Sequence, residues 1–207
     1  TIQRIWASDA FGIERWFQIA LAATLMALPA MLIRYLGGRF GYVWRKVAIE
    51  TWAIAKPIVW TVVLIYGLSF KRSVALAVLV GLCDLYAYLL GLVFLRRYYT
   101  APVSYGRSVL LLGINLLESI LSFAVLYLHY GSLTVGNPSS GAIRSWGEAV
   151  YFSTVTAATV GYGDIKALNG AGQVLVVAEI LCSFMFITVV LTTFVANLSS
   201  VGQQERP

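Results

Sequence analysis

Apolar runs of about 20 residues recur along this chain, and that recurrence constrains its fold more than any other feature. A helix needs about that length to cross the ~30 Å hydrocarbon core of a bilayer. The first run covers residues 16–35 and contains Pro29, which a membrane helix tolerates as a kink. The second, 47–70, carries Glu50, Lys56 and Pro57, and its charged N-terminal half could instead lie along the interface. The third, 73–95, has Asp84 at its middle; a fourth covers about 109–130 and a fifth about 172–197. Of the 207 residues, 59% are apolar and only 12% charged. Soluble domains carry about 25% charge, and a soluble core of this size could not hide so much apolar surface. The expected class is therefore all-α and transmembrane, with about five spanning helices.

The net charge of +6 is not gathered on a polar domain. Arg and Lys stand at the ends of the apolar runs, as anchors and topology signals do, so nucleic acid is excluded as a partner and membrane lipid is expected. Cys83 and Cys182 lie inside apolar runs without metal-ligand spacing. Residues 1–15 are too polar for a signal peptide. Only ten residues, 198–207, follow the fifth run, so the sequence is expected to hold no soluble domain, and 201–207 reads as a short cytoplasmic tail.

One segment departs from this pattern. Residues 146–158 form an apolar stretch about half as long as a span, followed at once by Thr159-Val160-Gly161-Tyr162-Gly163-Asp164. A chance glycine turn rarely sits between a half-length apolar helix and a full spanning one. TVGYG is the potassium-channel filter string, and the segment resembles the pore of the tetrameric potassium-channel superfamily, in its simple two-helix form. Glu148-Ala149-Val150-Tyr151-Phe152-Ser153 leads through Thr156 into the filter, and the likeness covers about 109–197.

The resemblance implies a pore domain over 101–200: outer helix 109–130, re-entrant pore helix 146–158, filter 159–163 and inner helix 172–197. Residues 1–100 would form three peripheral helices. Dehydrating K⁺ requires a ring of oxygens in place of its water. Backbone carbonyls at Thr159, Val160, Gly161, Tyr162 and Gly163 can supply it if every peptide points toward one axis. Gly161 and Gly163 relieve the backbone angles this demands, and K⁺ would sit at Thr159, Val160, Gly161 and Tyr162. The Thr159 hydroxyl can add a ring at the inner mouth, and Asp164 adds negative charge at the outer one. Tyr162 can wedge against Trp146, Tyr151 or Phe152 and so hold the ring's diameter. The negative end of the pore-helix dipole faces the ion. One filter is a quarter of a ring, so the partner is the chain itself, as a homotetramer. K⁺ is the permeant ion, and no organic cofactor is implied.

The family's pore loop enters from outside, which implies a cytoplasmic C-terminus, an outside N-terminus and, as location, the cell membrane. Arg34, Arg39, Arg45, Lys46, Arg96, Arg97, Arg107 and Arg206 would then be cytoplasmic. Arg4, Arg15, Lys71, Arg72, Arg144 and Lys166 would lie outside, a weak bias in the positive-inside sense. On the inner helix, Phe184, Ile187, Leu191 and Val195 share one stripe. The resemblance has this stripe line the cavity; packing on the outer helix is the other reading. Ser183 stands where many relatives have a hinge glycine, so gating at the filter weighs as much as hinged opening.

Charged groups inside a bilayer are costly and usually paired or functional. Lys56 and Asp84 lie at similar distances from the Lys71–Arg72 turn on antiparallel helices, and are expected to pair, either as a structural tie or as a sensor. Glu118 and Glu179 are expected to hydrogen-bond behind the filter, outside the ion path. Glu50 is expected to snorkel, and His129 to be interfacial. No helix has basic residues at every third position, so helices one to three do not read as a voltage sensor. A coupled transporter of the superfamily would carry four pore loops in one chain. A membrane enzyme would need clustered catalytic residues that this sequence lacks. A weakly selective cation pore is the alternative that remains.

Overall fold

The computed structural model describes residues 12–39, 41–95, 105–136 and 141–204, with Arg34, Tyr42, Tyr105 and 193–204 described as backbone only. It is all-α apart from one two-stranded ladder. The helices are α1 (Ile13–Ala27), α2 (Pro29–Arg39), α3 (Tyr42–Ile65), α4 (Arg72–Phe94), α5 (Tyr105–His129), α6 (Trp146–Ala157) and α7 (Gly170–Gln204); strand β1 is Leu133–Val135 and β2 is Ile165–Ala167. Four of them, α3, α4, α5 and α7, are long and apolar enough to cross a membrane. A fifth span is possible if α1 and α2, bent by 64°, act as one.

That bend has a local cause. A residue before proline is pushed out of the helical region, and Leu28 is extended at φ −87°, ψ 154°. Pro29 then opens α2, a position where its missing N–H costs nothing. The second run, whose first half could have lain flat, is a single helix, α3, with Pro57 inside it. Gly67, in the left-handed region at φ 64°, ends the turn after α3, and a 3-10 turn at Leu68–Phe70 leads into α4. The basic pair is split, Lys71 closing the turn and Arg72 opening α4.

The described residues fall into two compact units, one within 1–52, 83–112 and 187–207, the other within 53–82 and 113–186. In the first, Leu21, Ala22, Ala87 and Leu95 form a small core, with Ile19, Leu25, Leu28 and Leu90 packed against it. Phe17 meets Phe94 edge-on at 4.9 Å, and Gln18 donates to the Phe94 carbonyl at 3.2 Å. Asp84, 2% exposed, accepts from the Ala30 amide at 3.3 Å and from the Trp52 indole N–H at 3.3 Å. Ala30 is the second residue of α2, so the carboxylate caps an orphan amide at a positive helix end.

In the second unit the last turns of α5 are sealed from Phe123 to Leu128. Gly131, at φ 53°, sits just past this helix. Its amide reaches the Leu128 carbonyl, and the Ser132 amide reaches that of Tyr127, the paired bonds of a Schellman cap. Gly172 near the start of α7 comes so close that a Cβ there would stand 2.6 Å from the Ser132 carbonyl oxygen. Asn169 caps α7 by accepting from the Gly172 amide at 2.9 Å. The helix continues to Gln204, past the expected end near 197 and into the expected tail; the Ser and Gln residues there are tolerated in helices.

Candidate functional site

The segment singled out in the sequence begins on α6. Glu148 lies in its first turn, where a negative charge suits the helix dipole. Its last turn closes on the filter segment with the Thr159 amide bonded to the Thr156 carbonyl at 2.9 Å and the Val160 amide to the Val155 carbonyl at 3.0 Å. This is again a Schellman cap, with Thr159 at φ 56° in the place glycine usually takes. Helix α6 therefore ends at Ala157, one residue before expectation, and Ala158 is its C-cap.

Beyond the cap the sign of φ alternates. Thr159, Gly161 and Gly163 have φ of 56°, 61° and 78°, while Val160 and Tyr162 between them stay negative. Nothing lies within 4 Å of a Cβ built on Gly161 or Gly163, so the backbone angle, and not crowding, makes these two positions glycine. Thr159 is the only non-glycine with positive φ among the described residues. A β-branched residue there costs about 1–2 kcal/mol, a strain the sequence reading did not foresee.

The outer end of the segment is fastened by a ladder that the sequence reading also missed. β1 and β2 pair antiparallel, with Leu133 opposite Ala167, Thr134 opposite Lys166 and Val135 opposite Ile165. The Gly136 amide extends it to the Asp164 carbonyl at 3.1 Å, and the Leu168 amide to that of Ser132 at 2.7 Å. Asp164 also accepts from the Tyr151 hydroxyl at 2.9 Å, which holds the Tyr151 phenol above its ordinary pKa.

The expected aromatic support is differently arranged within one chain. Phe152 turns its ring edge-on to Tyr127 of α5, with centroids 5.1 Å apart. Tyr151 reaches Asp164. Trp146 is half-exposed, and Val160 and Tyr162 are 51% and 70% exposed. The expected stripe of α7 is open too, with Phe184, Ile187 and Leu191 exposed in line with Val174, Val177 and Leu181. Val195 lies on α7, but its side chain is outside the described residues.

Several charged groups have partners beyond those expected from the sequence. Lys56 meets Glu118 of α5 at 2.8 Å, with both side chains sealed from solvent. Glu118 is thus half of an ion pair with α3. Glu179 is bonded to Ser153 of α6 and Tyr127 of α5. Glu50 pairs with Arg107. The Nδ1 of His129 lies 2.9 Å from the Ser69 carbonyl oxygen.

Residues 115–200 match the model of a family described as Ion channel. No curated protein and no solved structure matches the chain. The family match covers most of α5, α6, the glycine-containing segment that follows it and most of α7, and supports an ion-channel pore domain there. With the apolar helices, it also makes this a membrane protein.

Proposed function

We propose that the chain is a potassium-selective channel that conducts K⁺ passively through a homotetrameric pore in the cell membrane, with the C-terminus cytoplasmic. The observation that carries this reading is the alternation in the sign of φ at Thr159, Gly161 and Gly163. In an extended strand successive carbonyls point to opposite sides. Where left- and right-handed residues alternate, successive peptides turn the same way and their oxygens form one row. Such a row, placed at the negative end of the α6 dipole, suits a dehydrated cation.

One row cannot surround an ion, and four copies complete each ring. Exposure supports that assembly: Val160 and Tyr162 are open in one chain and would be covered by neighbours. Among the four spans, α7 is the least buried, at 22% against 56% for α5. Its open stripe would line the cavity below the filter and meet adjacent copies.

Flux from proteoliposomes tests the reading. K⁺ efflux well above Na⁺ efflux, blocked by Ba²⁺ and lost in Gly161→Asp, is expected. Equal K⁺ and Na⁺ fluxes would replace it with a weakly selective cation pore.

A further inference from the structure

One buried carboxyl group joins three helices behind the filter segment. Glu179 on α7 is 1% exposed. Its Oε1 lies 2.5 Å from the Ser153 hydroxyl oxygen on α6, and its Oε2 accepts from the Tyr127 hydroxyl on α5 at 2.7 Å. Ser153 is fully buried, and its hydroxyl also lies 2.9 Å from the Ile120 carbonyl oxygen of α5. Ser153 therefore sits at a polar junction inside an apolar unit. A buried polar group without partners costs about 1–3 kcal/mol, so this junction defines one position for α6 and disfavours sliding or rotation.

The place of the junction on α6 gives it a consequence for ions. Val155 and Thr156, whose carbonyls hold the Val160 and Thr159 amides, follow Ser153 within one helical turn. The junction thus fixes the helix end from which the row of carbonyls starts. Tyr127 adds a second hold, since its ring also packs on Phe152, the neighbour of Ser153.

We propose that Glu179 is a positioning residue for the filter: lying outside the ion path, it fixes α6 through the Ser153 hydroxyl, so that ion selectivity depends on where α7 holds this carboxyl group. A shift of α7 at this level reaches the filter through a hydrogen bond as well as through packing. The inference rests on reading 159–163 as a potassium filter.

The test uses the full chain in planar bilayers and nanodiscs. Glu179→Ala is expected to lower the K⁺-over-Na⁺ permeability ratio about tenfold, the equivalent of losing one buried hydrogen bond. Glu179→Gln is expected to keep the ratio, because its amide oxygen still accepts from Tyr127 and its nitrogen donates to Ser153. Should Glu179→Ala fail to assemble, Ser153→Ala removes one hydroxyl from the same junction and is expected to show the same fall. A wild-type ratio in either conducting variant overturns the proposal. Hydrogen exchange gives a readout independent of conduction: amides of 155–163 are expected to exchange faster in Ser153→Ala, and unchanged exchange overturns the proposal too. Equal K⁺ and Na⁺ permeability in the wild type would instead overturn the filter reading on which it rests.

Discussion

Thr159 occupies a backbone position that suits glycine, and the proposed K⁺ pore gives its side chain a reason to be there. The left-handed cap of α6 would be relaxed by glycine, at a gain of about 1–2 kcal/mol, but glycine has no hydroxyl to face an ion. Thr159→Gly is therefore expected to leave tetramer melting unchanged or raise it while lowering K⁺ conductance, and Thr159→Ser to conduct nearly as wild type. Thermal dissociation followed on gels, with bilayer recordings, checks both. Tyr151 offers a pH-dependent counterpart where it meets Asp164. Its hydrogen bond to Asp164 raises the phenol pKa above the ordinary 10.0, so the bond's contribution is complete below that pH and is lost as pH rises through the raised value. Tetramer melting is expected to fall on an alkaline limb in the wild type that Tyr151→Phe lacks. The motif itself was plain in the sequence. The strained Thr159 was not, because a Schellman cap is sought at Gly or Asn, and nothing in TVGYG shows which residue the helix leaves behind.

At the scale of elements, the charged groups are placed by helix ends and by α5 more than by the apolar runs alone. Lys56 and Glu118 form a buried pair between α3 and α5. Removing one partner of such a pair costs about 3–5 kcal/mol, whereas replacing both with apolar groups can be nearly neutral. Lys56→Met is thus expected to lower thermal stability markedly, and Lys56→Met with Glu118→Leu to recover part of the loss in a melting assay of the purified chain. The sequence led from Lys56 to Asp84 by matching depths on neighbouring helices, and did not consider Glu118 on α5, which the structure brings to Lys56. It also treated Pro29 only as a kink. Breaking a helix at Pro29 creates a new N-terminus with orphan amides, and Asp84 accepts from one of them. The β1–β2 ladder stayed hidden for another reason. Strands of three residues are too short for alternation to show, and β1 lies in a loop that reads as polar turn.

For the whole molecule, the apolar runs were enough to give an all-α membrane fold of four or five candidate spans among the described residues, and the family match falls on 115–200, within the part that resembled a channel pore. What one chain leaves open is as informative as what it packs. Val160 and Tyr162 and the stripe of α7 are exposed in one chain, and the proposed assembly of four copies would cover them. The central claim is that the carbonyl row at 159–163, completed by four copies, selects K⁺. The most direct measurement is the reversal potential of the purified chain in a planar bilayer with KCl on one side and NaCl on the other. A reversal close to the potassium equilibrium potential, abolished by Ba²⁺ block, is expected. A reversal near zero, with current still flowing, would contradict it.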